Sequence, residues 1–346
     1  MKTINLTLAG LMVSGAFARA ADVTDLNQNE NHLTLSARLG FNIHAQFSNR
    51  ATPDGLPYNY LDGYVLHDST GDYDPTATFP GITQNWGYDN STRQVNNPMI
   101  NHYPTVAMTR FGSGVNPMTS QMQEDPVPGL ELSYMRHIGS YDKWHYGIEG
   151  AANFQTLNLA ENGTTSGTGV RDYYQYFNGT TLPNSPYQGH YDASVAPNAA
   201  QISDTVAGSA PVSTIKDVYH REFDADIWGF RLGPYLNRQF GQHFTFNAVG
   251  GLAVAVVDGS ASWNETLTVG NNAPDPTTSG SGSGTSVLWG YYVGLDANYH
   301  FNERWSAKVG AQFQDLGTYR QNVGSRVAEL DLSQSVFVQL GISYSF

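Results

Sequence analysis

The 346-residue chain contains no cysteine. Disulfides, thiolate metal sites and cysteine nucleophiles are thereby excluded. Basic residues are scarce: 17 Lys and Arg stand against 30 Asp and Glu, a formal net charge of −13. That balance disfavours phosphate-backbone binding, so no nucleic-acid partner is expected. Past the first twenty residues, no stretch approaches the roughly eighteen consecutive apolar residues of a spanning helix. This leaves a barrel open, because lipid-facing and lumen-facing residues alternate along a strand and cancel in any window. Motifs for chemistry are missing as well. HExxH and GxSxG do not occur, and the run Gly280–Gly284 has no following Lys to make it a phosphate loop. The histidines show no ligand spacing. His67, Asp68 and Ser69 combine three catalytic residue types. Neighbours on an extended chain point apart, so the run is not read as a triad. The expectation is no catalytic residue, no metal and no cofactor.

The first twenty residues have the three parts of a secretory signal. Lys2 gives the positive start, Ile4 to Phe17 the apolar middle, and Ala18-Arg19-Ala20 the small-residue cleavage site. Residues 1–20 are read as a signal peptide cleaved near Ala20, and 21–31 as a polar leader. Residues 32–346 then show a repeated alternation of period two. From His32 to Phe47 one face is Leu33, Leu35, Ala37, Leu39, Phe41, Ile43, Ala45 and Phe47. The pattern recurs near 128–138, 144–155, 223–239, 243–257, 286–301, 305–313 and 335–346. Pro234 falls inside the fourth of these strands, where a bulge is expected. Strands 2–3, 4–5 and 6–7 are joined by a few residues each. The other connections are long, chiefly 48–126, 158–220 and 263–284, the last ending in the Ser/Gly run Ser279–Gly284. The first is too long to be structureless and is expected to hold short strands near 63–67, 85–88 and 104–111.

The final strand carries the resemblance. Val336, Val338, Leu340, Ile342, Tyr344 and Phe346 share one face, and the last is aromatic. This resembles the C-terminal assembly signal of bacterial outer-membrane β-barrels, of the small OmpA- and OmpX-like, opacity-type family. The resemblance implies an all-β, closed antiparallel transmembrane barrel of eight strands, or ten if the first connection adds a spanning hairpin. Short periplasmic turns would alternate with long extracellular loops, and the leader would lie in the periplasm. The implied partners are outer-membrane lipids and lipopolysaccharide, the barrel assembly machinery and periplasmic chaperones. Residues Val338, Leu340, Ile342, Tyr344 and Phe346 would be the strand that machinery reads, closing the barrel against the first strand.

The inward faces carry charge: Arg38, Glu131, Glu149, Arg231, Asp296 and Lys308, with His44, His145, His300 and Gln312. Eight strands leave room for side chains or one small ligand. Buried charges are normally paired, which predicts an internal network filling the lumen. Three functions follow from different classes. The first is a structural or surface-interaction role through large outer connections, with an unspecified ligand. The second is a narrow pore for ions or small solutes. The third is a lipid- or peptide-hydrolysing enzyme at the outer rim.

Overall fold

The computed structural model describes residues 31–346 apart from 49–51, 53–57, 67–80, 96–103, 113–119, 177–181, 191–199, 272–273, 275–276 and 325. The signal sequence, the leader up to residue 30 and His67–Ser69 lie outside the described residues. In chain order the elements begin with β1 (Asn31–Phe41), β2 (His44–Ser48), β3 (Gly63–Val65), β4 (Ile82–Thr83), β5 (Trp86–Tyr88) and the single turn α1 (Ser91–Gln94). Next come β6 (Thr105–Phe111), β7 (Ser120–Gln123), β8 (Val127–Tyr141), β9 (Trp144–Gln175), β10 (Tyr187–Gln188) and β11 (Ile202–Ser203). The chain finishes with β12 (Gly208–Phe240), β13 (Phe244–Val269), β14 (Thr278–His300), β15 (Trp305–Asp315), β16 (Thr318–Val323), β17 (Arg326–Asp331) and β18 (Ser335–Ser345).

Eight of these strands make a closed antiparallel ring, in the order β1, β8, β9, β12, β13, β14, β15, β18 and back to β1. Closure places His32 opposite Ser345 and Phe41 opposite Val336. No spanning hairpin is added by the first connection among the described residues. The turns at one end are short and use residues that tolerate the left-handed region, Asp142 (φ 55°) and Gly241 (φ 68°).

Around this ring the alternation predicted from sequence holds. Leu35, Leu132, Leu232, Leu252, Leu295 and Leu340 face outward, and Thr34, Ser36, Arg38 and Glu131 are buried inside. Aromatic residues line both rims of the apolar belt. Tyr344, Trp305 and Phe346 stack near the short turns, and Phe154 meets Trp228, centroids 4.5 Å apart, at the other rim. Such girdles sit where a barrel crosses the two membrane interfaces. Pro234 lies in this wall without a bulge, contrary to expectation. Its register with β9 is unbroken, and the ladder to β13 merely omits Gly233 and Pro234 and resumes in register. The facing glycines explain this. A Cβ on Gly251 would meet the Leu232 carbonyl oxygen and Gly233 Cα, so the two strands sit too close for any side chain there.

Beyond the outer rim the wall divides. β9, β12, β13 and β14 run straight on. On β12 alone, Gly208 to Asp226 adds roughly 60 Å of strand at about 3.3 Å per residue. The other four strands bend at one level. Asn42 (φ 61°), Gln334 (φ 54°) and Gly317 (φ 76°) take the left-handed conformation that makes such a bend possible. Asn42 ties the bends together, its amide N donating to Asp125 Oδ2 (3.3 Å) and its Nδ2 to the Gln334 carbonyl (3.1 Å). Past the bends, β16, β17, β2 and β7 form a separate four-stranded sheet. It packs over the inner faces of the straight strands around Ile43, Phe47, Leu157, Phe223, Val257, Tyr319 and Leu330.

Three sequence expectations change here. The alternation puts Ile43, Ala45 and Phe47 on one face with the outward Leu33, Leu35 and Leu39, yet all three are fully buried, because the Asn42 bend turns that face inward. The segments 158–220 and 263–284 are largely strand, not loop. The run Ser279–Gly284 pairs with 259–264 instead of forming a flexible linker. Its glycines are a packing requirement: a Cβ on Gly280 would stand 2.6 Å from Trp263 Nε1 and 2.9 Å from the Val323 carbonyl oxygen, where β16 presses on β14. The short strands expected in the first connection are present as β3, β5 and β6.

Leu340 stands mid-strand on the outward face and is 66 % exposed. Leu340→Arg is expected to destabilise the folded protein by about 2–4 kcal/mol, as for a charge at the bilayer midplane. Urea titration in lipid vesicles, read by tryptophan fluorescence, checks this; an unchanged midpoint would place Leu340 outside the membrane.

Candidate functional site

Buried charge clusters lie at membrane level and in the outer tower. In the first, β1, β8, β9 and β12 bring Arg38, Glu131, Glu149 and Arg231 together. Arg38 Nη1 lies 3.1 Å from Glu131 Oε2, and Arg231 Nη2 lies 2.6 Å from Glu131 Oε1 and 3.5 Å from Glu149. Gln339 Nε2 on β18 donates to both oxygens of Glu131, at 3.0 and 3.1 Å. Arg38 also donates to Gln314 Oε1 at 2.7 Å, and its guanidinium lies 3.5 Å from the Phe337 ring centroid. Arg231 stacks over Tyr292 at 4.6 Å. Lys308 and Asp296 form a separate pair at 3.5 Å nearer the short turns, where Asn247 donates to Asp296 at 2.5 Å. All six sequence-predicted lumen residues are buried. Three cations face three carboxylates, as a low-dielectric interior requires.

The neighbouring residues fall differently. Gln312 and His300 are buried in the lumen, His300 beside Thr245 at 3.0 Å. His145 lies at the short-turn end, 2.8 Å from Ser140 Oγ. His44, predicted to face the lumen, sits beyond the Asn42 bend beside Asp331, at 3.4 Å. Two lumen spaces lie beside the network, one against Arg38 and Phe337 and one between His32 and Lys308. Their volumes are about 10 and 20 Å³, each about one water. Above them the sandwich core closes the bore with apolar side chains.

The second system was not anticipated. Arg221 Nη2 lies 3.0 Å from Glu265 Oε1, and Arg326 pairs with the other oxygen of the same carboxylate. All three are buried in the tower, with Arg221 over Tyr219 and Arg326 over Trp263. The signal lay in Arg221-Glu222-Phe223-Asp224-Ala225-Asp226-Ile227, which alternates with its apolar residues in the opposite phase to the strand below.

The first connection folds onto the tower's tip. β6 pairs with the end of β9, and β3, β5 and β10 make a small sheet whose core is Trp86, Tyr88, Val106, Met108 and Tyr174. Asp172 holds this piece to the wall. It accepts from Arg110 Nε (2.7 Å), Tyr60 OH (3.1 Å) and Ser209 Oγ (2.6 Å). Burial alone would raise the Asp172 carboxyl, but the Arg110 and Ser209 bonds, the Arg110 charge and the Tyr60 bond hold it below the usual carboxylate range. Burial pushes the Tyr60 phenol up, reinforced by its 2.7 Å bond to Tyr174.

Arg231→Ala strips Glu149 of its nearest cation and half-strips Glu131. The expected cost is about 3–5 kcal/mol, as for breaking a buried pair from one side. The midpoint of heat-induced gel-mobility change should fall, and pairing Arg231→Met with Glu149→Gln should recover part of it. Asp172 has a depressed folded value, so its stabilisation is complete above the ordinary carboxylate pKa, near 4, and lost as pH falls through the folded value. Amide exchange in β6 should therefore quicken below about pH 4, and Asp172→Asn should remove that step.

No protein-family model matches the chain, and no curated protein matches it. Solved structures overlap it in outline. The attachment invasion locus protein Ail of Yersinia pestis shares 8 % identity, with 92 % of this chain and 99 % of that one covered and a TM-score of 0.27. The outer membrane protein OprG of Pseudomonas aeruginosa shares 11 %, covering 93 % and 98 %, with a TM-score of 0.33. The outer membrane protease OmpT of Escherichia coli shares 11 %, covering 92 % and 97 %, with a TM-score of 0.34. The assignment rests instead on the molecule itself. The closed ring of eight strands, the apolar belt between aromatic rims and the alternation of short turns with long connections make this chain a closed antiparallel transmembrane β-barrel of eight strands.

Proposed function

We propose that the protein is a closed, non-conducting barrel that works through its outer tower, as a surface-interaction protein. The observation that carries this reading is the filled bore. A balanced set of six charges, with the two spaces of about 10 and 20 Å³ beside it, lies beneath an apolar sandwich core. A pore would need a continuous wet path, and two successive plugs of different chemistry oppose one. The tower supports the same reading from the other side. Its strands are continuous with the membrane wall and its core is packed, so its surface is held in one shape and not presented on loose loops. A preorganised surface binds with less ordering cost than a flexible one. The outward face just above the belt carries Glu222, Asp224, Asp226 and Asp258, which favours cationic partners over anionic ones.

Planar-bilayer recording with the folded protein tests the reading. Silence from protein that shows the folded gel mobility is expected. Discrete, reproducible conductance steps would overturn it and make the lumen charges selectivity residues.

A further inference from the structure

Histidines gather at the short-turn mouth of the barrel. His32 opens β1, His137 and His145 face each other at the end of the β8–β9 hairpin, and His243 and His300 flank the start of β13 and the end of β14. His32 and His300 each meet a hydroxyl, Ser345 Oγ at 2.8 Å and Thr245 Oγ1 at 3.0 Å. His137 and His145 differ, because both aim a nitrogen at the same atom. Ser140 Oγ lies 3.2 Å from His137 Nε2 and 2.8 Å from His145 Nδ1. The two ring centroids are 5.5 Å apart.

The hairpin is shaped for this convergence. In a regular strand His137 and Ser140 would point to opposite faces, since their spacing is odd. The register shifts between His137 and Gly139. That bulge brings both residues to the inward side, re-aiming a side chain as bulges do. The sequence expectation of no metal ligand missed the pair because only the bulge aligns it. On β9, His145 stands opposite Ser140, and Gly147 stands opposite His137. A Cβ on Gly147 would lie 2.0 Å from the Arg136 carbonyl oxygen and 2.7 Å from the Tyr235 ring, so the position opposite His137 stays bare. The His137 ring can therefore lean towards His145. On the next strand, β12 places Asn237 opposite His145. Asn237 is buried, and its Oδ1 has no donor among the described residues. Both imidazoles are only half-buried and Ser140 is exposed, so an ion can reach them from water.

We infer that His137 and His145 form a binding site for one divalent transition-metal ion (Zn²⁺, Ni²⁺ or Cu²⁺), with Asn237 Oδ1 accepting from a water on that ion. The ion takes the bridging point that the Ser140 hydroxyl holds now. A hydroxyl can give its proton to one imidazole nitrogen and accept an N–H from the other, so the two rings carry complementary tautomers. Coordination needs a lone pair on both nitrogens, and the donating ring therefore adopts its other tautomer. Imidazole nitrogen selects these ions over Ca²⁺ and Mg²⁺, which take oxygen ligands. Metal–nitrogen bonds are about 2 Å long, so each ring moves in by roughly 1 Å from its hydrogen-bond distance. Both ligands stand on one short hairpin whose turn is set by Asp142 (φ 55°), so little chain entropy is lost on binding. Among the described residues no three His, Asp or Glu side chains converge on one point. Two imidazoles leave the other positions to water, which makes the site weaker than a closed structural zinc site. The site lies at the opposite end of the barrel from the tower and does not depend on the surface-interaction reading.

The test uses the full-length folded protein in detergent, without an affinity tag. Equilibrium dialysis against Zn²⁺ alone measures uptake. One ion per chain with a Kd in the micromolar range is expected. His137→Ala and His145→Ala should each weaken binding about tenfold or more, since each removes a ligand. Their gel mobility should stay that of the folded protein. Ser140→Ala should bind at least as tightly, because the displaced hydroxyl no longer competes. Uptake unchanged in both histidine variants would put the ion elsewhere on the protein and overturn the site. So would no uptake at millimolar Zn²⁺. A second measurement needs no variant: electron paramagnetic resonance of one equivalent of Cu²⁺ on the unaltered protein should show coupling to two imidazole nitrogens. Coupling to none, or to more than two, would overturn the pair, and this spectrum decides even where a variant fails to fold.

Discussion

Every feature of this protein depends on the pairing of backbone hydrogen-bond groups where water is absent. In hydrocarbon an unpaired peptide group costs several kcal/mol, so a sheet that spans must close on itself. The register of β1 with β18 meets that demand with an unbroken run of partners from His32 to Phe41. The demand is local to the membrane. Above the outer rim, water can satisfy a free edge, and there the ring opens. Four strands bend away and a second sheet forms. The same physics thus explains one closed wall below and two packed sheets above.

The solvent also decides which face of a strand is apolar. On β12, Trp228, Phe230 and Leu232 point outward, while Arg231 points in. Two residues past Trp228 the pattern reverses: Asp226, Asp224 and Glu222 point outward, while Ile227, Ala225 and Phe223 point in. Phase inversion within one continuous strand marks the boundary between lipid and water. β13 inverts at the same level: Leu252, Val254 and Val256 take the outward positions below, whereas Asp258 and Ser260 point outward from there on and Val257 and Ala261 point in.

The two buried charge systems have one logic. Each places arginines around a carboxylate, Arg38 and Arg231 around Glu131, Arg221 and Arg326 around Glu265, and lays each guanidinium over an aromatic ring. A planar cation can donate at its edge and stack on its face at once, which lets it remain charged out of water. In the lumen Arg38 and Arg231 balance Glu131 and Glu149, and Lys308 with Asp296 forms a further neutral pair. The bore is therefore filled by groups that hold one another in place.

The membrane ring was legible in the sequence, because period-two alternation and short turns are local properties. Leu33 to Leu39, Leu130 to Tyr134 and Val336 to Phe346 announce their faces without reference to any partner. The inward charges Arg38, Glu131 and Arg231 could be named for the same reason. What the sequence could not decide was whatever depends on two distant segments meeting. The Asn42 bend, which buries Ile43, Ala45 and Phe47, needs Asp125 and Gln334 at its side. The Ser279–Gly284 run reads as a linker until Trp263 and β16 are seen to require its missing side chains. The Arg221–Glu265–Arg326 group exists only once the long strands are placed. Pattern along a strand fixes which way a residue faces; only the assembled sheets fix what it faces.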